Sequence, residues 1–195
     1  MDFLSKRLKY RFFTRQDFSL FYSVFSNEQV MRYAWIDKFN NEEDIKPFFE
    51  EFLNNSDKPN KSNSYAFAVL SREDDAFIGF ADIVLQSQNS FGGCGEIGYF
   101  LLPEYWGKGY ATELANALLK VGFTKLNLHK MCARCDSNNL KSEGIMKKTG
   151  MTKEGELRKV RFKCGVWDDE KHYGILLDEW KARQGISTLS HALRI

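Results

Sequence analysis

EIGYFLLPEYWGKGYAT, residues 96–112, is the stretch from which the rest of the chain can be read. An apolar strand ends at a turn proline, Pro103, and glycines then open a helix. Beyond Gly109, residues Ala111, Leu114, Ala115, Leu118, Leu119 and Gly122 recur at helical spacing, which predicts a helix to about Phe123 with one buried face. The first N–H groups of a helix lack partners inside it, and the peptide dipoles add partial positive charge there, so this end suits an anion. Gly107 and Gly109 allow a tight turn and close approach to the backbone; Lys108 offers a charge and Thr112 a hydroxyl. A plain strand-to-helix connection would use glycines too. Two known phosphate loops do not fit: a Walker loop needs four residues between its glycine and Gly-Lys-Ser/Thr, and the dinucleotide fingerprint needs a third glycine where Thr112 stands.

At 195 residues the sequence suits one domain over 1–195, and its 17 Phe, 8 Tyr and 4 Trp supply a large apolar area without disulfides. A net charge of +2 is too balanced to predict nucleic-acid binding. No segment reads as a signal peptide, and no apolar run approaches the roughly 20 residues of a membrane span. A cytoplasmic protein without membrane attachment is expected. Cys132 and Cys135 form a C-x-x-C, but in a strand residues three apart face opposite ways; with Cys94 and Cys164 isolated and His129, His172 and His191 scattered, no metal site is expected. Reduced thiols are expected instead.

In chain order, the pattern predicts a strand over 8–13, a helix bearing Phe18, Phe21, Tyr22 and Phe25 capped by Thr14 and Asp17, and a second helix over 42–53. A surface loop over 54–63 follows, then strands over 64–70, 76–86 and 95–102, with the Gly-Gly-Cys-Gly at 92–95 read as a turn within a polar connection over 86–93. After the glycine-led helix come a strand over 129–135, parallel to its predecessor by the strand-helix-strand order, a helix over 140–149 ended by Gly150, and two antiparallel strands over 154–162 and 172–180 joined by a turn-rich 164–170. The basic run Lys147, Lys148, Lys153, Arg158, Lys159, Arg161 and Lys163 reads either as a solvated face or as an attractant for a phosphate or an acidic partner.

With these segments in place the chain resembles the GCN5-related N-acetyltransferase superfamily, and within it the ribosomal-protein alanine N-acetyltransferase branch. WGKGYATE resembles the superfamily signature, with Trp106 at its Gln/Arg position, Gly109 at the glycine and Ala111 at the small residue. NLKSEGIMKKTGMTKEGELRK, from Asn139, is similar to the branch's second motif, and YGILLDEW to its last strand. The motifs span about 96–180; the first ninety residues agree only in element order.

The resemblance implies an α/β (α+β) fold with a mixed, largely antiparallel sheet flanked by helices, and a splayed parallel strand pair that binds acetyl-CoA. It divides the chain into N-terminal strands and helices over 8–90, the acetyl-CoA loop and helix over 94–125, and a C-terminal half over 129–180. It implies cosubstrate contacts at Phe100, Leu101, Leu102, Trp106, Gly107, Lys108, Gly109, Tyr110, Ala111, Thr112, Asn139, Ser142, Met146 and Lys148, with pantetheine lying in the splay like an added strand. The Leu101 N–H would polarise the thioester carbonyl. Glu96 would deprotonate the amine directly or through water, and Ser142 would serve the departing thiolate. The expected reaction is direct acetyl transfer to a primary amine: a protein or peptide N-terminus, such as a ribosomal one, in the first instance. A small amine such as a polyamine, amino acid or antibiotic is the alternative, as is a non-catalytic acyl-CoA-binding module. Pairing as a homodimer is left open.

Overall fold

The computed structural model describes residues 1–56 and 63–186; the expected tail 187–195 and most of the loop 54–63 lie outside the described residues. Eight strands form one sheet: β1 (Phe3–Leu4), β2 (Leu8–Phe12), β3 (Ser64–Ser71), β4 (Phe77–Asn89), β5 (Gly92–Leu101), β6 (Lys130–Asp136), β7 (Thr152–Lys163) and β8 (Val166–Leu176). Their spatial order is β1-β2-β3-β4-β5-β6-β8-β7, and every neighbouring pair is antiparallel except β5–β6. This is the mixed, mainly antiparallel sheet expected from the sequence.

Alternation along the strands gives the sheet two apolar faces, and each is covered by helices. On one face, α1 (Phe18–Phe25), α2 (Glu28–Met31) and α3 (Glu42–Ser56) bury Phe21, Phe25, Ile45 and Phe49 against Ala66, Ala68 and Phe80. The aromatic stripe of α1 meets α3 ring on ring, with Phe21 and Phe49 centroids 4.9 Å apart. On the other face, α4 (Tyr110–Thr124), α5 (Leu140–Lys148) and α6 (Leu177–Arg183) cover Ile83, Ile97, Leu101, Met131 and Ile175.

Several boundaries differ from the sequence reading. The Gly-Gly-Cys-Gly at 92–95 is strand, because β4 and β5 pair as far as Asn89↔Gly92 and leave only Ser90 and Phe91 to turn. Glycine is needed there for closeness: a Cβ on Gly93 would stand 2.2 Å from the Ser87 carbonyl oxygen. The turn-rich 164–170 shrinks to Cys164 and Gly165, both with positive φ, since β8 starts at Val166. Trp180 lies on α6, whose first turn is closed by Glu179 accepting the Leu176 N–H at 2.9 Å, so the last strand stops at Leu176. Helix α3 runs three residues past Leu53, and the short β1 and α2 carry too little periodicity to be seen in advance.

Helix α5 is fastened to β8 through a buried carboxylate. Glu143 accepts the Tyr173 hydroxyl at 2.7 Å and Lys171 Nζ at 3.0 Å, and Lys147 lies 2.9 Å away. Hydrogen bonds from Lys147, Tyr173 and Lys171 draw its pKa from the ordinary 4.5 down to about 2. A lowered folded-state pKa adds stability that is complete above the unfolded value and disappears as pH falls through the folded one. Glu143→Gln should therefore lower the Tm at pH 7. The gap to wild type should close between about pH 4.5 and 2 in a thermal-melt series.

Candidate active site

The gap between β5 and β6 is the main departure from a regular sheet. The two strands pair only at Cys94↔Lys130, Gly95↔Met131 and Glu96↔Cys132. Beyond that, β5 stays with β4 as far as Leu101 and β6 stays with β8 as far as Asp136, so the strands separate. Backbone N–H groups alternate sides along a strand. Leu102 donates to the Ile78 carbonyl on the β4 side at 3.0 Å, which turns the Leu101 N–H toward the gap.

The chain then turns through Pro103–Tyr105 and reaches α4. Gly107 and Gly109 adopt φ of +74° and +78°, the left-handed region, and Gly109 caps α4 without any side-chain cap. The amides of the first turn are thus free of side-chain partners, with Lys108 beside them, and they fit an anionic group such as a pyrophosphate. Arg7, which sequence reasoning missed, braces this loop: it donates to the Lys108 carbonyl at 3.0 Å, pairs with Glu113 at 2.7 Å and lies over the Tyr110 ring. The indole of Trp106 donates its N–H to the Leu101 carbonyl at 2.7 Å. At the start of α5, Asn139 caps the helix by accepting the Ser142 N–H at 3.1 Å.

Beside the gap lies a cavity of about 450 Å³. Of the expected site residues, it gathers Glu96, Phe100, Asn139, Ser142 and Met146; Leu101, Leu102, Trp106–Thr112 and Lys148 are not among its lining residues. Polar groups that the sequence reading did not single out also line it. Tyr99 has a buried hydroxyl that faces Ser142 and completes no hydrogen bond of ordinary geometry, and burial pushes its pKa up to about 12. Arg134 on β6 holds Glu96 at 2.8 Å and Glu170 at 3.4 Å, while Gln86 donates to the other Glu96 oxygen at 2.7 Å. Asp82 on β4 lies over Gly98, where a Cβ would come within 2.3 Å of its Oδ1. Each belongs to a residue type that strands use for ordinary surface or packing roles, so only their convergence marks them.

The basic run resolves mostly into local pairs: Lys153 with Glu156 at 2.6 Å, Lys159 with Asp169 at 3.6 Å, and Arg161 with Glu170 at 3.6 Å. Arg161 also donates to the Tyr33 carbonyl at 3.0 Å, and Lys163 donates to the carbonyls of Met31 and Ala34. These bonds clamp the β7–β8 hairpin onto the segment after α2, closing one side of the cavity. Among the described residues no group of three or more His, Cys, Asp or Glu is placed to hold a metal ion, and no helix is long and apolar enough to cross a membrane.

A splayed parallel pair, an inward-facing strand amide and a glycine-led helix without a side-chain cap thus lie beside a cavity of about 450 Å³. Residues 7–152 match the family model described as the acetyltransferase (GNAT) domain, and the chain belongs to that family. It is 39% identical over 183 residues to the uncharacterized N-acetyltransferase YnaD of Bacillus subtilis, covering 92% of this chain and 99% of the relative. It is 23% identical to the spermidine N(1)-acetyltransferase of Vibrio cholerae, with coverage of 92% and 99%. Among solved structures, an acetyltransferase (GNAT family) from Bacillus anthracis superposes with a TM-score of 0.76 at 31% identity, covering 91% of this chain and 99% of that one. The protein is an acetyl-CoA-dependent N-acetyltransferase, acting on a primary amine.

Trp106 stands where the superfamily signature has a side-chain donor, and its indole supplies an N–H. Trp106→Gln retains a donor and should bind CoA about as well as wild type. Trp106→Phe retains the ring and loses the bond, worth about 1 kcal/mol or roughly a five-fold weaker Kd by calorimetry.

Proposed function

We propose that the acceptor is a compact small-molecule primary amine, bound as its cation between aromatic and acidic walls. The cavity's acceptor side is lined by Phe25, Tyr33, Trp35, Phe52 and Phe80 together with Asp82, and ring faces and a carboxylate both attract an ammonium group. The observation that carries the reading is the hairpin clamp: Arg161 and Lys163 tie β7 to Tyr33, Met31 and Ala34, which leaves less lateral room for an extended chain. The similarity to a spermidine acetyltransferase supports the same class.

In this reading acetyl-CoA supplies an activated acyl group, with the amides from Gly107 to Thr112 and Lys108 on its pyrophosphate and its pantetheine arm in the β5–β6 gap. The Leu101 N–H stabilises the charge that develops on the carbonyl oxygen. Ser142, with the Tyr99 hydroxyl behind it, serves the departing thiolate. Asn139 and Met146 line the arm, and Lys148 lies further along α5. A protein N-terminus, implied by the resemblance of the second motif to the ribosomal-protein branch, is the second reading. A cytoplasmic setting and a homodimer belong to the proposal too, with the free thiols behind the first of these, Cys94 and Cys132 among them at 3.5 Å.

The test is free-CoA release across a panel of polyamines, amino acids, aminoglycosides and N-terminal peptides. Small amines should exceed peptides in kcat/KM by at least about ten-fold, the equivalent of 1.4 kcal/mol. Peptides outrunning all small amines would establish the second reading instead.

A further inference from the structure

We propose that Asp82, rather than Glu96, is the carboxylate that takes the proton from the acceptor ammonium. The inference rests on the acceptor being a primary amine. It follows from which carboxylate in the cavity is free to bind a new cation. Glu96 is committed on both oxygens, to Arg134 Nε at 2.8 Å and Gln86 Nε2 at 2.7 Å. Glu170 is similarly held between Arg134 at 3.4 Å and Arg161 at 3.6 Å. Asp82 lines the same cavity, and no ion pair to it is present among the described residues. Its place is built by a missing side chain: Asp82 pairs with Gly98 across β4–β5, and any Cβ on Gly98 would collide with Oδ1. Gly98 is one residue before Tyr99 and three before the inward-facing Leu101 amide.

The charged groups around Asp82 come from neighbouring strands. Glu96 on β5 is the like charge that acts on it; Arg134 on β6 is already shared between Glu96 and Glu170; Glu170 on β8 also meets Arg161 on β7 at 3.6 Å and His172 at 3.0 Å. The lining residues from α1, α3 and the segment after α2 are Phe25, Phe52, Tyr33, Ala34 and Trp35, none of them an ion at neutral pH. Desolvation first, and then Glu96, raise the Asp82 pKa to about 7, against a smaller opposing pull from the Gly98 N–H. A base with that value is half ionised at neutral pH and strong enough to help an amine shed its proton.

An ammonium N–H breaks and an Asp82 O–H forms; the freed nitrogen pair bonds to the acetyl carbon, and the C–S bond breaks with its electrons on sulfur. The second proton on the attacking nitrogen passes to the thiolate through the Ser142 hydroxyl, which gives one proton to sulfur as it takes one from nitrogen, so that free CoA leaves as the thiol. Asp82 then returns its proton to water.

The test uses the full chain and whichever amine or peptide from the panel turns over best. Asp82→Asn should lower kcat/KM about 100-fold or more at pH 7, the scale of a lost general base, while CoA still raises the Tm as in wild type. Glu96→Gln should retain most of the plateau rate and move the acid limb of kcat/KM to lower pH. Two effects share that sign: the like charge is gone, and Arg134 is released toward Asp82. Carbon-detected NMR of the aspartate carboxyls gives a readout independent of any acceptor, with one resonance titrating near pH 7 in wild type and absent in Asp82→Asn. The proposal is overturned if Asp82→Asn keeps wild-type turnover, if Glu96→Gln is the variant that loses it, or if Asp82 titrates in the ordinary carboxylate range. A wrong acceptor class appears instead in the wild-type panel and leaves these three results unaffected.

Discussion

One strand has to satisfy two neighbours, and it satisfies only one along its length. β5 stays with β4 to Leu101 but leaves β6 after Glu96, and the site follows from that divergence. A sheet whose ladder opens in mid-strand exposes backbone donors and acceptors at a cost, unless something else completes them. A pantetheine arm carries amides of its own and can act as the missing strand. The opening also turns the Leu101 amide into the gap, and α4 begins with its glycine cap just beyond the end of the same strand.

Charge is distributed so that the divergence is braced and one acid is left over. Arg134 spans the start of the gap and holds Glu96 and Glu170 from opposite sides; Arg161 carries the chain of pairs onward to the hairpin. The Arg134 pairs are partly exposed on the arginine side, so their individual contributions to stability are small. Their larger effect is geometric, because they fix which carboxylates are already occupied. Asp82 stands outside that network, in a position made by the absence of a side chain at Gly98. The aromatic face opposite it, built by Phe25, Phe80 and Phe100, is the same packing that holds α1 and α3 on the sheet. Core and acceptor wall are therefore one structure.

Much of this was legible in residue order. Helix α4, its glycine cap and the parallel relation of β5 to β6 follow from periodicity and from the strand-helix-strand sequence, signals that are local. The Gly-Gly-Cys-Gly at 92–95 was misread for a related reason: glycines can signify a turn or a close approach, and only the Ser87 carbonyl opposite Gly93 decides which. The alternation that predicts strand up to Trp180 also fits the beginning of a helix, and the Glu179 cap that ends β8 is a tertiary detail.

By itself, the sequence determined the layers, the glycine-led helix and the family, because hydrophobic period, glycine position and motif spacing are written along the chain. It also determined that Glu96, Asn139 and Ser142 would lie near one another, through the motifs they belong to. The tertiary structure alone decided which carboxylate is free. Arg134, Glu170 and Gln86 lie up to 74 residues from Glu96 in sequence, and Asp82 and Gly98 meet only across a strand pair. A carboxylate's ionisation depends on what surrounds it in space, and no spacing along one chain records that.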